Sequence, residues 1–258
     1  MSHYRAIAAY YDAEYEGAEM LQEDVPFLLA HLPKRRRQKI LEIAVGTGRA
    51  AIPLAQAGHR VVGVDYAPEM LDIARRRRDS VGLGEKDVKL VRQNALKLNL
   101  GERFDWAVIL FNTFLNFTTL QQQDKLLAGI AKHLKPRGRL WIDVFQPNLE
   151  LLAQSHSEQL EPGLFYVPEL DRTVTRETEV ERDASRQIQH VTYHYRWFDA
   201  RGNTRHEKVE FDLTFLFPRE FQLLLERHGF RVDRIYGNYD GNPLNADSPR
   251  MIAVGSRS

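Results

Sequence analysis

The residues best placed to do chemistry form a short run in the first fifth of the chain. Leu41-Glu42-Ile43-Ala44-Val45-Gly46-Thr47-Gly48-Arg49 reads as a strand entering a tight glycine turn and then a helix. Gly46 and Gly48 let backbone approach a ligand closely, while the helix that follows offers unpaired N–H groups and the positive end of its dipole. At the end of the next apolar run stands Asp65, where an acidic residue in a doubly wound sheet reaches the ribose hydroxyls of an adenosine cofactor. Spacing alone leaves the cofactor open, because Gly46-Thr47-Gly48-Arg49-Ala50-Ala51 also satisfies the G-x-G-x-x-A nicotinamide fingerprint. A glycine turn can also do no more than pack a helix on a strand. His190 and His194 suggest a metal, but four residues along a strand are roughly 13 Å apart, which one zinc cannot bridge. No metal site is expected; the pair reads as a mixed sheet face, with His194 a candidate base.

These residues need a scaffold, and from Ile40 onward short apolar runs alternate with segments of helical period, the pattern of βαβ units on a mainly parallel sheet. Strands are expected over residues 40–45, 60–65, 88–93, 104–110 and 140–145. Helices are expected over 48–57, 68–79 and 119–134, and Pro136-Arg137-Gly138 marks a turn. Beyond Pro147 the sequence becomes rich in Val, Thr, Tyr and Phe, so 172–181, 187–198 and 207–217 read as an antiparallel meander. Its last strand alternates Val209, Phe211, Leu213, Phe215 and Phe217, which gives it one packed and one mixed face. A helix over 218–228 and strands over 231–236 and 251–254 close the chain. Four segments follow: a helical lid over residues 1–39 in which Tyr4, Tyr10, Tyr11 and Tyr15 cluster, a cofactor-binding core over 40–147, a meander insertion over 148–217, and a C-terminal completion of the core over 218–258.

The glycine loop resembles motif I of the class I S-adenosylmethionine-dependent methyltransferases: Glu42-x-Ala44-x-Gly46-x-Gly48 follows its acidic-x-Gly-x-Gly-x-Gly pattern, with Ala44 at the first glycine. The likeness continues in order through Gly63-Val64-Asp65-Tyr66-Ala67-Pro68-Glu69-Met70-Leu71, Gln93-Asn94-Ala95, Phe104-Asp105-Trp106-Ala107-Val108 and Leu134-Lys135-Pro136-Arg137-Gly138-Arg139-Leu140. More loosely, the Tyr10-Tyr11-Asp12 segment and the meander followed by Leu225-Glu226-Arg227-His228-Gly229-Phe230 resemble small-molecule enzymes such as amino-sugar N,N-dimethyltransferases. The resemblance implies a Rossmann-like α/β fold with helices on both sheet faces plus the inserted meander. It also implies S-adenosylmethionine as methyl donor, with S-adenosylhomocysteine as product. By the same likeness, Glu42 orders the loop and reaches the ligand ammonium, Gly46 and Gly48 let the methionine portion pass, and Ala44 belongs to the same cofactor-binding loop. Asp65 accepts both ribose hydroxyls, Tyr66 lies on adenine, and Asn94 and Ala95 read the adenine edge. Phe111 lines the methionine end. Asn94 stands where the family has Asp, so that contact lacks a charge. On the acceptor side Tyr11 is the leading contact, and Asn112 is placed to hydrogen-bond acceptor or cofactor. The expected reaction is in-line displacement onto a small molecule, in which alignment does the main work and a base is needed only for a protonated acceptor.

Rival readings are narrowed by what the chain lacks. A nicotinamide oxidoreductase of the short-chain type needs Tyr-x-x-x-Lys, and no tyrosine has lysine four residues later. An RNA or protein methyltransferase is the other alternative, motivated by Lys34-Arg35-Arg36-Arg37-Gln38-Lys39 and by Arg75 to Arg78, which read as solvated faces. With 36 Lys and Arg against 35 Asp and Glu, the net charge is +1, so no whole-molecule field draws nucleic acid or lipid. Zero cysteines remove disulfides and thiolate chemistry. No apolar run approaches the roughly 18 residues of a membrane span. A cytoplasmic protein is expected, and the meander edges suggest a homodimer.

Overall fold

The computed structural model describes residues 7–15, 19–158 and 163–258. Of the tyrosines that cluster near the start of the sequence, Tyr4 lies outside the described residues. Contacts divide the chain into two compact units, one formed by residues 1–18 and 147–215 and the other by residues 19–146 and 216–258. They thus group the start of the chain with the meander and residues 19–39 with the core, drawing a line inside the single N-terminal segment read from the sequence.

The core unit is a seven-stranded sheet. In chain order it contains α2 (Glu19–His31), β1 (Lys39–Ile43), α3 (Ala51–Gln56), β2 (Arg60–Asp65), α4 (Pro68–Ser80), β3 (Val88–Arg92), β4 (Phe104–Ile109), α5 (Leu120–His133), β5 (Leu134–Phe145), α7 (Pro218–Arg227), β11 (Phe230–Tyr236) and β12 (Arg250–Arg257). Across the sheet the strands run β11-β12-β5-β4-β1-β2-β3. The first five strands are parallel, and β12 lies antiparallel to β5 and to β11. Ile40, Leu41 and Ile43 of β1 and Ala107, Val108 and Ile109 of β4 are essentially inaccessible to solvent, as expected of central strands covered on both faces. The strand order reverses direction beside β1, so the carboxyl ends of β1 and β4 flank the crevice in which open α/β sheets place their ligands.

Two boundaries differ from expectation for conformational reasons. The helix after the glycine loop begins at Ala51 rather than at residue 48, because Gly48 holds φ +81°, which a right-handed helix cannot contain. The turn at Pro136-Arg137-Gly138 sits inside β5 as an irregularity: Arg137 has φ +60°, and the register against β4 jumps between Phe104 and Trp106. By contrast, α5 starts where its residues dictate, with Thr119 and Gln122 closing a capping box.

The other unit contains α1 (Tyr11–Tyr15), α6 (Leu149–Leu152), β6 (His156–Glu158), β7 (Gly163–Val167), β8 (Arg172–Asp183), β9 (Ile188–Phe198) and β10 (Thr204–Thr214). The long strands β8, β9 and β10 form the expected meander, with β6 and β7 added along β8. Both additions escape sequence reading because they are short and carry exposed residues such as Leu164 and Tyr166. The strand expected over 207–217 lies instead at 204–214, where the Thr214 hydroxyl and the Phe215 amide both donate to the Gln187 carbonyl and turn the chain out of the sheet. One face packs Tyr195, Val209 and Val174 with Ile7 and Tyr10. Under it Glu14 accepts from the Tyr195 hydroxyl at 2.8 Å and pairs with Arg176. Among the described residues no helix is long and apolar enough to cross a membrane.

Candidate active site

The carboxyl edge of the core sheet carries Glu42, Ala44, Gly46, Gly48, Asp65, Tyr66, Asn94, Ala95, Phe111 and Asn112, because each lies near the end of, or in the loop after, one of the adjacent strands β4, β1, β2 and β3. The loop after β1 is locked from below. A Cβ at Gly63 of β2 would lie 2.6 Å from a Val45 methyl, so only glycine there lets Val45 seat the loop against the sheet. A Cβ at Gly46 would meet nothing within 4 Å, whereas one at Gly48 would touch Ala74 and Ile52 at 3.3 Å. Gly46 is therefore the open side of the turn and Gly48 its packed side. Ala44 also holds a positive φ of 53°, the conformation for which its position would favour glycine.

Asp65 closes the loop from the neighbouring strand. Its carboxylate accepts from the Gly46 amide at 2.9 Å and from the Ala67 amide at 2.9 Å. Burial raises its pKa, opposed by those backbone donors. Tyr66, next in sequence, is about half exposed at 47%. Asn94 accepts from the Leu96 amide at 2.9 Å and so caps the 3₁₀ turn Ala95–Lys97. The oxygen expected to read an adenine edge thus already carries one bond and keeps one lone pair.

Glu42 is buried at 4% exposure, and its Oε2 has no hydrogen-bond partner. Burial pushes its pKa up to about 8, Arg49 pulling it down while Asp24 and Asp65 push it further up. Arg49 is held by α2 through a two-pronged pair with Asp24, at 2.7 and 2.5 Å, and donates to the Leu21 carbonyl at 3.1 Å. Arg49 belongs to the quoted motif, but nothing in the sequence pairs it with Asp24.

Beyond β4 the backbone is strained, with Phe111 at φ +50° and Asn112 at φ +61° in succession. A buried ionic network holds that corner. Asp143 of β5, fully inaccessible, accepts from Arg250 Nε at 2.6 Å and from the Tyr239 hydroxyl at 2.8 Å, with the Phe111 amide at 3.4 Å. Asn112 Oδ1 accepts from the Phe145 amide at 2.7 Å and from Arg250 Nη2 at 3.0 Å. What Asn112 can offer a ligand is therefore its amide N–H groups, the oxygen being committed. Sequence reading passed over Asp143, Tyr239 and Arg250; the available signal was a lone carboxylate inside the apolar run Trp141-Ile142-Asp143-Val144-Phe145.

Two expected acceptor residues, Tyr11 and His194, belong to the meander unit. Tyr11 packs edge-on to Tyr15 with ring centroids 5.1 Å apart. His194 stacks on His206, its Nδ1 3.0 Å from His206 Nε2 and its Nε2 3.2 Å from a Glu179 oxygen. His190 on the same face pairs with Asp212 at 2.6 Å.

The core meets the test of holding an adenosine sulfonium ligand bearing an ammonium. It presents an unpartnered buried carboxylate oxygen, a turn open on one side, and a carboxylate and exposed ring at the end of the next strand. Comparison with known proteins agrees. Residues 40–138 match the family model described as a methyltransferase domain. The chain is 30% identical over 232 residues, 89% of its length and 87% of the relative's, to the cypemycin N-terminal methyltransferase of a Streptomyces species. It is 26% identical over 249 residues, 94% of its length and 91% of the relative's, to the dTDP-3-amino-3,6-dideoxy-alpha-D-glucopyranose N,N-dimethyltransferase of Streptomyces fradiae. Among solved structures, the CcbJ methyltransferase of Streptomyces caelestis superposes with a TM-score of 0.79 at 21% identity, covering 99% of this chain and 96% of that one.

Proposed function

Because the chain belongs to the class I S-adenosylmethionine-dependent methyltransferases, we propose that it methylates an amine nitrogen of a small molecule. The observation that carries this reading is the ordered set of residues along the carboxyl edge of β4, β1, β2 and β3. Nitrogen is favoured because two relatives matched over most of their length are named for an N-terminus and for an N,N-dimethylated amino sugar, dissimilar molecules that share an amine.

When bound, the donor supplies an electrophilic methyl carbon on its sulfonium. The chain's own residues place and shield it. Asp65 accepts from the ribose hydroxyls with the lone pairs its two backbone bonds leave free. Tyr66 covers one adenine face, and Asn94 and Ala95 meet its edge. Gly46 lets the methionine chain lie against the loop, and Glu42 takes its ammonium. Phe111 and Asn112, fixed by the Asp143–Arg250 pair, would line the methionine end of the donor. Alignment of nucleophile, carbon and sulfur supplies most of the acceleration. Tyr11 and His194 remain the candidate acceptor contacts.

Thermal unfolding with S-adenosylhomocysteine or NADH, followed by an acceptor panel, tests the reading. Ligand at 100 times its Kd adds about 2.7 kcal/mol, a midpoint rise of roughly 5–10 °C at this size. The expected result is a rise with S-adenosylhomocysteine alone, and methyl transfer to amino sugars or free peptide N-termini but not to their hydroxyl or N-acetyl counterparts. Transfer to the hydroxyl compounds would move the acceptor to oxygen.

A further inference from the structure

The basic run at residues 34–39 finds no use in the site described above, and it leads to a second cleft. Where the chain leaves α2, Pro33, Arg36 and Gln38 form one wall of a cavity of about 740 Å³ near the amino ends of β4 and β5. The opposite wall is the irregular start of β5, Lys135 to Arg139, together with Asp233 and Arg234 of β11. Such a volume is in the range of small-ligand sites.

The charges here are not balanced. Five cations, Arg36, Lys135, Arg137, Arg139 and Arg234, face two carboxylates, Asp105 and Asp233. Lys135 takes Asp105 at 2.8 Å, and Arg139 takes Asp233 at 3.0 Å, which Arg231 also contacts at 2.9 Å. Among the described residues, Arg36, Arg137 and Arg234 have no carboxylate within ion-pair distance. The contrast with the other basic run is informative. There Arg75 and Arg78 pair with Asp72 and Asp79, and Arg77 donates to Thr47, so three of its four arginines are taken up by neighbours.

Two of the cleft's guanidiniums are also held in place. Arg139 lies over the Trp106 ring at 5.4 Å and Arg234 over Tyr236 at 5.0 Å. A guanidinium stacked on a ring can keep its N–H edge for a planar fork of hydrogen bonds, the geometry that fits phosphate oxygens, as Arg234 does here, while Arg139 gives one N–H to Asp233. The Nε of Arg139 is buried without a partner. Arg137 is set at the cleft mouth by its left-handed backbone, φ +60°.

We propose that this cleft binds the di- or triphosphate group of a small molecule as an effector separate from the methyl acceptor. Concavity favours a compact polyphosphate over a nucleic-acid backbone, which needs an extended basic stripe. The six residues of β4 extend roughly 20 Å from this end to the carboxyl edge, so one small acceptor does not reach both.

Titration calorimetry with inorganic tripolyphosphate at about 0.15 M salt, where loose surface attraction is screened, tests the proposal. Wild type is compared with Arg36→Ala/Arg137→Ala, two exposed positions. The expected result is saturable binding, weakened about tenfold or more in the variant, with S-adenosylhomocysteine affinity and Tm unchanged and no competition between the two ligands. Charge-assisted bonds of this kind are strong enough for that change. Absent saturation, equal binding by the variant, displacement by S-adenosylhomocysteine, or binding of single-stranded RNA but not tripolyphosphate would each overturn it. A variant with a lowered Tm is replaced by Arg36→Gln/Arg137→Gln, for which the same weakening is required.

Discussion

At the scale of single residues, Glu42 combines deep burial with an unpartnered oxygen and a pKa near 8. In the folded chain without ligand it therefore holds a proton that the unfolded chain, with an ordinary value of 4.5, has released. Between those two values Glu42 in the folded state binds more protons, so its contribution to stability falls as pH rises from about 4.5 to about 8 and is constant on either side. Asp65, also raised by burial, acts in the same direction. Glu42→Gln keeps the shape without the ionisation, so the difference in Tm between variant and wild type should widen with pH across that window. A constant difference would mean that Glu42 is charged from the start. Tyr11→Phe is expected to lower turnover several-fold while leaving Tm and S-adenosylhomocysteine affinity unchanged; wild-type kinetics would return Tyr11 to its packing role against Tyr15. The residues legible in the sequence were those whose type is dictated by backbone geometry or by a strand end, such as Gly46, Gly48 and Asp65. Asp24, Tyr239 and Arg250 were not, because each acts through a partner far along the chain, and no spacing records a contact between residues 143 and 250.

At the scale of elements, the corner after β4 depends on strands remote in sequence. Phe111 and Asn112 adopt consecutive left-handed conformations, and such strain persists only where the surroundings over-determine it. Here β5 supplies Asp143 and the Phe145 amide, and β12 supplies Arg250. Removing one partner leaves a buried charge unpaired, so Asp143→Leu and Arg250→Met should each destabilise by about 3–5 kcal/mol. The double variant, with both charges gone, should be less destabilised than the sum of the singles. Turnover should stay low in all three, since the double variant restores packing but not the hydrogen bonds that hold Asn112. Denaturant unfolding and steady-state kinetics check the two halves separately, and recovery of turnover in the double variant would show that the network serves stability alone. Sequence periodicity revealed these strands because both faces of the sheet are covered and the runs are continuously apolar. It misjudged the ends of β5 and β10, where a left-handed residue and a pair of hydrogen bonds to Gln187 decide the boundary.

At the scale of the whole molecule, the matched family segment and the folding unit are not the same object. Residues 40–138 contain the glycine loop, Asp65, Asn94 and Asn112, yet the core unit closes only when residues 216–258 return to add α7, β11 and β12. Without that return, β5 would present an open edge, its backbone groups from Leu140 to Phe145 losing their antiparallel partner. Asp143 would also lose both Arg250 and Tyr239 at once. A chain ending at residue 215 therefore keeps every residue proposed to touch the donor while losing the supports of the Phe111-Asn112 corner. It is expected to bind S-adenosylhomocysteine at least about a hundredfold more weakly than the full chain, or to aggregate through the exposed edge. Adding residues 216–258 as a separate peptide should restore binding in part, and restoration should fail when that peptide carries Arg250→Met. Wild-type affinity in the truncated chain would mean that the loop and Asp65 hold the donor unaided, and would confine the role of the ionic network to the methyl-transfer step.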